Sequence, residues 1–320
     1  MNPLYLLVGI DTLDDRQWDR RTTQEPTFCN ILNLPTFHAR LARHGVRPTY
    51  FPSYVVVTEE SCAPILRDLH DTGTCEIGVH HQSWATPPCP PQDARAAAVQ
   101  GPLPVGRFEQ QLERLTAAVE SVTSAAPVSY RGARGGLGAR HVSTLERLGY
   151  TVESSLVPWA RPSVPPAPYY LSYDDLYRAG TSDVLEIPAT AAWSRRVPRW
   201  LDGPLHGLMG STLIERAFAT AGVVRHLRLE PSTSSLLDMT HVGRRLEREG
   251  PRVLNVRCRS SDTVIGGSVS DAELDRFFDR LDSFLRFATE ELDAVPVTFA
   301  EFRMRWSAPA FEVRRRRDEE

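Results

Sequence analysis

Short apolar runs along the chain alternate with stretches in which apolar residues recur every three or four positions. The runs suit strands and the wider spacing suits helices with one apolar stripe. Strands are predicted near 4–11, 48–57, 75–80, 128–131, 150–154, 184–188, 226–229, 252–258 and 295–299. Helices are predicted over 30–44, 59–72, 106–124, 142–148, 211–221, 234–249 and 271–292. The last is the clearest, with Leu274, Phe277, Phe278, Leu281, Phe284, Leu285 and Ala288 on one face and Ser270-Asp271-Ala272-Glu273 as a cap. Strands and helices in alternation point to parallel strands joined by helical crossovers.

Three segments break the pattern. Residues 84–105 and 156–170 are rich in proline and read as semi-rigid loops able to wall a cleft. The segment 189–209 holds Trp193, Arg195, Arg196, Arg199, Trp200 and His206, a mixture suited to stacking on a sugar ring or to a packed surface loop. The expected organisation is one domain over 1–306 followed by a charged tail, 307–320, ending Arg314-Arg315-Arg316-Arg317-Asp318-Glu319-Glu320.

Composition narrows the function classes. With 320 residues, 41% apolar and 24% charged, the chain can bury a sizeable core, and its net charge of -3 gives no sign of a nucleic-acid or membrane-surface binder. All 37 basic residues are arginine, which excludes Schiff-base and P-loop lysine chemistry. Cys29, Cys62, Cys75, Cys89 and Cys258 form no C-x-x-C pair, so neither a disulfide framework nor a thiolate zinc site is suggested. The opening apolar run lacks a basic leader, and no run approaches the ~18 residues of a membrane span. A cytoplasmic location is expected.

Candidate chemistry collects where the apolar runs end. Asp11 and Asp14 follow the first strand, His80 and His81 another, Arg131 and Arg134 a third, and Arg259-Ser260-Ser261 a fourth. In an α/β sheet or barrel such ends share one mouth. Aspartate and histidine are the residue types that metal-assisted hydrolysis uses, although aspartate at a strand end is as often a cap, and adjacent histidines point to opposite sides of an extended chain.

Read together, these stretches resemble the polysaccharide deacetylase superfamily, carbohydrate esterase family 4 with its NodB homology domain. The residues that carry the resemblance are Val8-Gly9-Ile10-Asp11-Thr12, Arg47-Pro48-Thr49-Tyr50-Phe51, Glu76-Ile77-Gly78-Val79-His80-His81-Gln82-Ser83-Trp84, Ser129-Tyr130-Arg131-Gly132-Ala133-Arg134, Leu185-Glu186-Ile187-Pro188 and Val253-Leu254-Asn255-Val256 leading to Ser260-Ser261. They follow family order from residue 4 to about 299. The resemblance implies a distorted (β/α) barrel of about seven strands with a divalent metal, zinc foremost, at its C-terminal mouth. It also implies a deacetylase or amidohydrolase that cleaves a non-peptide carbon–nitrogen bond of an amino sugar or related small molecule. Asp11 would be the general base, Arg131 its partner, His80 and Asp14 metal ligands, and Arg259, Trp84 and Arg134 substrate-binding residues.

Three positions depart from the family pattern. Leu13 and Gln82 stand where metal ligands are usual, and Arg259 stands where the family has the histidine that protonates the leaving amine. Arginine holds its proton too tightly to be a general acid, though it can anchor an anion. The alternative is a catalytically silent member that keeps the barrel as a carbohydrate- or partner-binding module.

Overall fold

The computed structural model describes residues 3–15, 26–89, 103–133, 137, 139–158, 176–179, 182–194, 225–249, 252–264 and 270–306. Arg134, the helix expected over 211–221, most of 156–170, residues 195–209 and the tail lie outside the described residues.

The strands are β1 (Tyr5–Thr12), β2 (Thr49–Pro52), β3 (Glu76–Ile77), β4 (Val79–His81), β5 (Ser129–Gly132), β6 (Val152–Glu153), β7 (Tyr177–Arg178), β8 (Leu185–Glu186), β9 (Ala191–Trp193), β10 (His226–Arg228), β11 (Val253–Arg259) and β12 (Val295–Pro296). The α-helices are α1 (Cys29–Leu32), α2 (Leu34–Ala42), α3 (Tyr54–Thr58), α4 (Ala63–Asp71), α5 (Val105–Thr123), α6 (Val142–Arg147), α7 (Leu236–Glu249), α8 (Asp271–Arg286) and α9 (Phe299–Trp306).

Parallel pairing runs β11-β1-β2-β3 in one sheet and β4-β5-β6-β8 in another, with β7 antiparallel at the edge of the second. Only Gly78 separates β3 from β4, so the two sheets are successive arcs of one wall. Its amide donates to the Tyr50 carbonyl at 2.8 Å. A Cβ at Gly78 would lie 2.7 Å from the Ser129 carbonyl oxygen, which is why the break falls on a residue without a side chain.

The far side is bridged by Thr190 and Leu229. The Thr190 amide donates to Asn255 O at 3.1 Å, Leu229 N donates to Thr190 O at 3.0 Å, and Arg257 N donates to Leu229 O at 3.0 Å. The result is a distorted (β/α) barrel, as expected. Counting β3 and β4 as one interrupted strand, its described wall is β1, β2, β3–β4, β5, β6, β8 and β11.

Strand alternation separates two cores. Tyr5, Leu7, Phe51, Val152, Leu185, Ile187 and Val253 pack with Phe299, Phe302 and Trp306 of α9 in one cluster, inside the barrel. Their alternates, including Leu6, Val8, Ile10, Tyr50, Val79, Tyr130 and Leu254, pack outward against the helices. Each fully buried side chain of this size contributes about 1.5–3 kcal/mol. A one-residue slip of any strand would exchange the two sets.

Two expected strands end early. The run 48–57 extends only to Pro52; Ser53 turns the chain and Tyr54–Thr58 is helical, with Val56 and Val57 buried in the outer core. Packing decides against the strand preference of the valines. The run 295–299 stops at Pro296, because Thr298 and Glu301 cap α9 reciprocally: Thr298 N donates to Glu301 Oε2 at 3.1 Å and Glu301 N to Thr298 Oγ1 at 3.2 Å. β7 and β9 are strands that the hydrophobic pattern does not reveal. No described helix is long and apolar enough to cross a membrane.

Candidate functional site

On β1 the inward side chains run Tyr5, Leu7, Gly9 and Asp11, from apolar floor to polar mouth. Gly9 makes room for a cation: a Cβ there would lie 2.5 Å from Arg131 Nη2. Arg131, from β5, crosses this gap fully buried, with its guanidinium 4.1 Å from the Phe51 ring centre and 5.6 Å from that of Phe299.

Every nitrogen of that guanidinium is used. Nε donates to Ser154 O at 3.0 Å, Nη2 to Ser154 Oγ at 3.2 Å and Nη1 to Asp11 Oδ1 at 2.8 Å. Ser154 is held in turn, its hydroxyl donating to Ile187 O at 2.8 Å and accepting from Asn255 Nδ2 at 3.2 Å. This is a fixed frame for one carboxylate.

The other oxygen of Asp11 is engaged by a residue that the sequence reading did not select. Arg257 donates to Asp11 Oδ2 through Nη2 at 2.6 Å and Nε at 3.0 Å. Burial alone would push the Asp11 carboxyl up, but Arg257, Arg131 and His80 together hold it well below the usual carboxylate range. Such a carboxylate is a weak base.

His80 also faces this group. Its Nδ1 lies 3.6 Å from Asp11 Oδ1, beyond hydrogen-bond length, and has no hydrogen-bond partner although the residue is buried. Burial pushes the imidazole down and Asp11 pulls it up, with a net fall. His81 points the other way. Its Nε2 meets Gln111 Oε1 of α5 at 2.8 Å and its ring packs on Phe108, so it belongs to the sheet–helix interface, and burial lowers it to about 4.

The remaining candidates divide. Asp11, His80 and Arg131 meet in one place. Arg259, two residues beyond Arg257, donates through Nη2 to Glu230 Oε1 at 2.7 Å. Asp262 accepts the Arg259 amide at 3.1 Å, and burial, opposed by Arg259, brings its carboxyl up to about 6. Asp14 and Trp84 are half-buried in the turns after β1 and β4. Leu13 and Gln82 are buried, and Ser260 is a structural hydroxyl that accepts from Leu13 N at 3.1 Å and Asn30 Nδ2 at 2.8 Å.

These residues do not fit a divalent metal. Among the described residues no three His, Cys, Asp or Glu side chains are grouped to hold one. More decisively, a cation approaching Asp11 would meet the guanidinium of Arg257 already bound to the outer oxygen, with like-charge repulsion of about 4 kcal/mol per unit charge at 4 Å and an effective dielectric of 20. Arg257 was legible only through the period of β11. Asn255, Arg257 and Arg259 share a face, and Asp11 pairs with Arg259 in the sheet register.

No protein-family model and no curated protein matches the chain. Solved structures do. One assigned to the polysaccharide deacetylases, from Mycobacterium smegmatis, aligns over 100% of this chain and 96% of its own at 13% identity and TM-score 0.57. One assigned as a glycoside hydrolase/deacetylase from Parabacteroides distasonis aligns over 95% and 71% at 12% identity and TM-score 0.58. The chain has the polysaccharide deacetylase fold. It also aligns with a 4-alpha-glucanotransferase from Thermococcus litoralis, over 96% of this chain and 41% of that one, at 12% identity and TM-score 0.56. The likeness is one of architecture.

Proposed function

We propose that the protein is a deacetylase-like barrel that binds carbohydrate at its mouth without metal-dependent hydrolysis. The observation that supports this reading is the state of Asp11: both oxygens accept from guanidinium groups, Oδ2 from two nitrogens of Arg257, which holds the carboxyl ionised and makes it a poor base for water. The substrate class rests on the likeness to structures whose assigned activities concern sugars. Arg259, tied to Glu230, supplies a fixed charge in the place of a proton donor.

A second reading, a metal-dependent deacetylase or amidohydrolase acting on an N-acetylated amino sugar, is favoured by one observation. Asp11, His80 and Arg131 gather at the same strand ends. The two readings separate in one assay set: binding of N-acetylglucosamine oligomers by calorimetry, and acetate release from them with zinc, cobalt, nickel or manganese added. The binding reading expects retention of the oligomers with no acetate released. Metal-dependent acetate release that disappears in Asp11→Asn would overturn it.

A further inference from the structure

The strands have a second end. Thr49, Glu76 and Ser129 open β2, β3 and β5 at the face of the barrel opposite Asp11, and the start of α9 lies against them. A cleft of about 240 Å³ sits there, walled by Ile77, Val128, Ala125 and Ala126 on its apolar side and by Cys75 and Glu76 on its polar side. It is smaller than the ~300–1,000 Å³ of sites that take drug-sized ligands, so it suits a short molecule.

Glu76 gives the cleft its chemistry. Oε2 is fixed, accepting from Thr49 Oγ1 at 2.8 Å and from Ala300 N, in the first turn of α9, at 3.0 Å. Oε1 is buried and has no hydrogen-bond partner. The Ser129 hydroxyl is near enough to favour the ionised carboxyl, yet it too makes no hydrogen bond. A buried acceptor left without a donor carries an uncompensated desolvation cost, which a ligand that donates to it would relieve.

The charged groups around the cleft are matched with one another and not with Glu76. Arg47 is paired with Glu301, whose Oε2 also accepts from Thr298 N at 3.1 Å. His70 Nδ1 lies 3.6 Å from Asp71. Burial pushes the Cys75 thiol up to about 12, so it stays neutral. Among the described residues no arginine or histidine forms an ion pair with Glu76. What holds the carboxylate is hydrogen bonding, together with the positive end of α9, equivalent to roughly half a charge.

We propose that this cleft is a binding site for a small primary ammonium compound with a short apolar tail. The ammonium donates to Glu76 Oε1 and the tail lies along Ile77, Val128 and Ala126. An ammonium brings three donors and a single positive charge to a carboxylate that has one oxygen open and no cation beside it. The bond formed is charge-assisted, a kind roughly twice as strong as a neutral one. A metal ion is the poorer match, because no three His, Cys, Asp or Glu side chains gather here among the described residues. The site lies at the other end of the strands from the mouth, and its assignment does not depend on the carbohydrate reading.

The test compares butylammonium with 1-butanol, which has the same tail without the charge, by ligand-observed NMR on the full chain. Butylammonium is expected to bind at least about tenfold more tightly. Glu76→Gln keeps an acceptor for Thr49 and Ala300 but removes the charge, and is expected to bring the two affinities level. Ala126→Phe fills the exposed side of the cleft and is expected to weaken butylammonium at least about tenfold while thermal unfolding stays as in the wild type. His80→Ala, at the mouth, is expected to leave butylammonium binding intact.

Equal affinity for the two ligands, or tight butylammonium binding that survives either Glu76→Gln or Ala126→Phe, would overturn the inference. Binding lost in His80→Ala would place the ammonium at the mouth and overturn it as well. Should Glu76→Gln fail to fold, Ala126→Phe leaves the carboxylate and its hydrogen bonds in place and decides alone.

Discussion

Arg131 and Asp11 are bound so tightly to their surroundings that their removal should be read first as a stability change. Arg131→Ala would leave Asp11 buried with Arg257 and His80 and would open space between Phe51 and Phe299. Breaking a buried pair from one side costs ~3–5 kcal/mol, a loss that urea denaturation would report. Asp11 adds a pH signature. Its folded-state pKa is depressed, so its contribution is complete above the unfolded-chain value near ~4 and is lost as pH falls toward the lower folded value. Asp11→Asn should therefore be less stable than wild type at pH 7, with the gap narrowing below about pH 4; a gap independent of pH would contradict this electrostatic frame. Three of the residues in this cluster were legible because each follows an apolar run at a strand end. Arg257 was not, since it lies inside its strand and only the inward alternation with Asn255 and Arg259 assigns it to the mouth.

Elements show the same mixture of legible and hidden. The stripe of α8 and its Ser270–Glu273 cap were plain in the sequence and are present. The helix at Tyr54–Thr58 was hidden because three consecutive valines favour a strand, and α9 was missed because its Thr298–Glu301 cap lies at the end of a run read as a strand. Between β3 and β4, Gly78→Ala would force a methyl against the Ser129 carbonyl. Neither backbone can give way without moving its strand, so a loss of about 1–3 kcal/mol is expected in thermal or urea unfolding. The β4–α5 interface carries its own titration. Burial lowers His81 to about 4, so the unfolded chain takes up a proton first. The stabilising contribution is complete above pH ~6.5 and is lost as pH falls toward 4, by on the order of 2–4 kcal/mol. His81→Gln should flatten that part of the stability profile; an unchanged profile would place the titration elsewhere.

For the whole molecule, alternation of runs and stripes was enough to indicate a parallel α/β fold, and the ordered motifs indicated the barrel. What they left open was the ionic state of its mouth, because that depends on which side chains from β1, β4, β5 and β11 converge. The central claim is that a guanidinium holds the position on Asp11 that a metal would need. Titration of zinc into the metal-free protein, followed by calorimetry in parallel with His80→Ala, tests it most directly. The two proteins are expected to give the same weak, substoichiometric heats. A one-to-one site in the wild type that vanishes in His80→Ala would contradict the account.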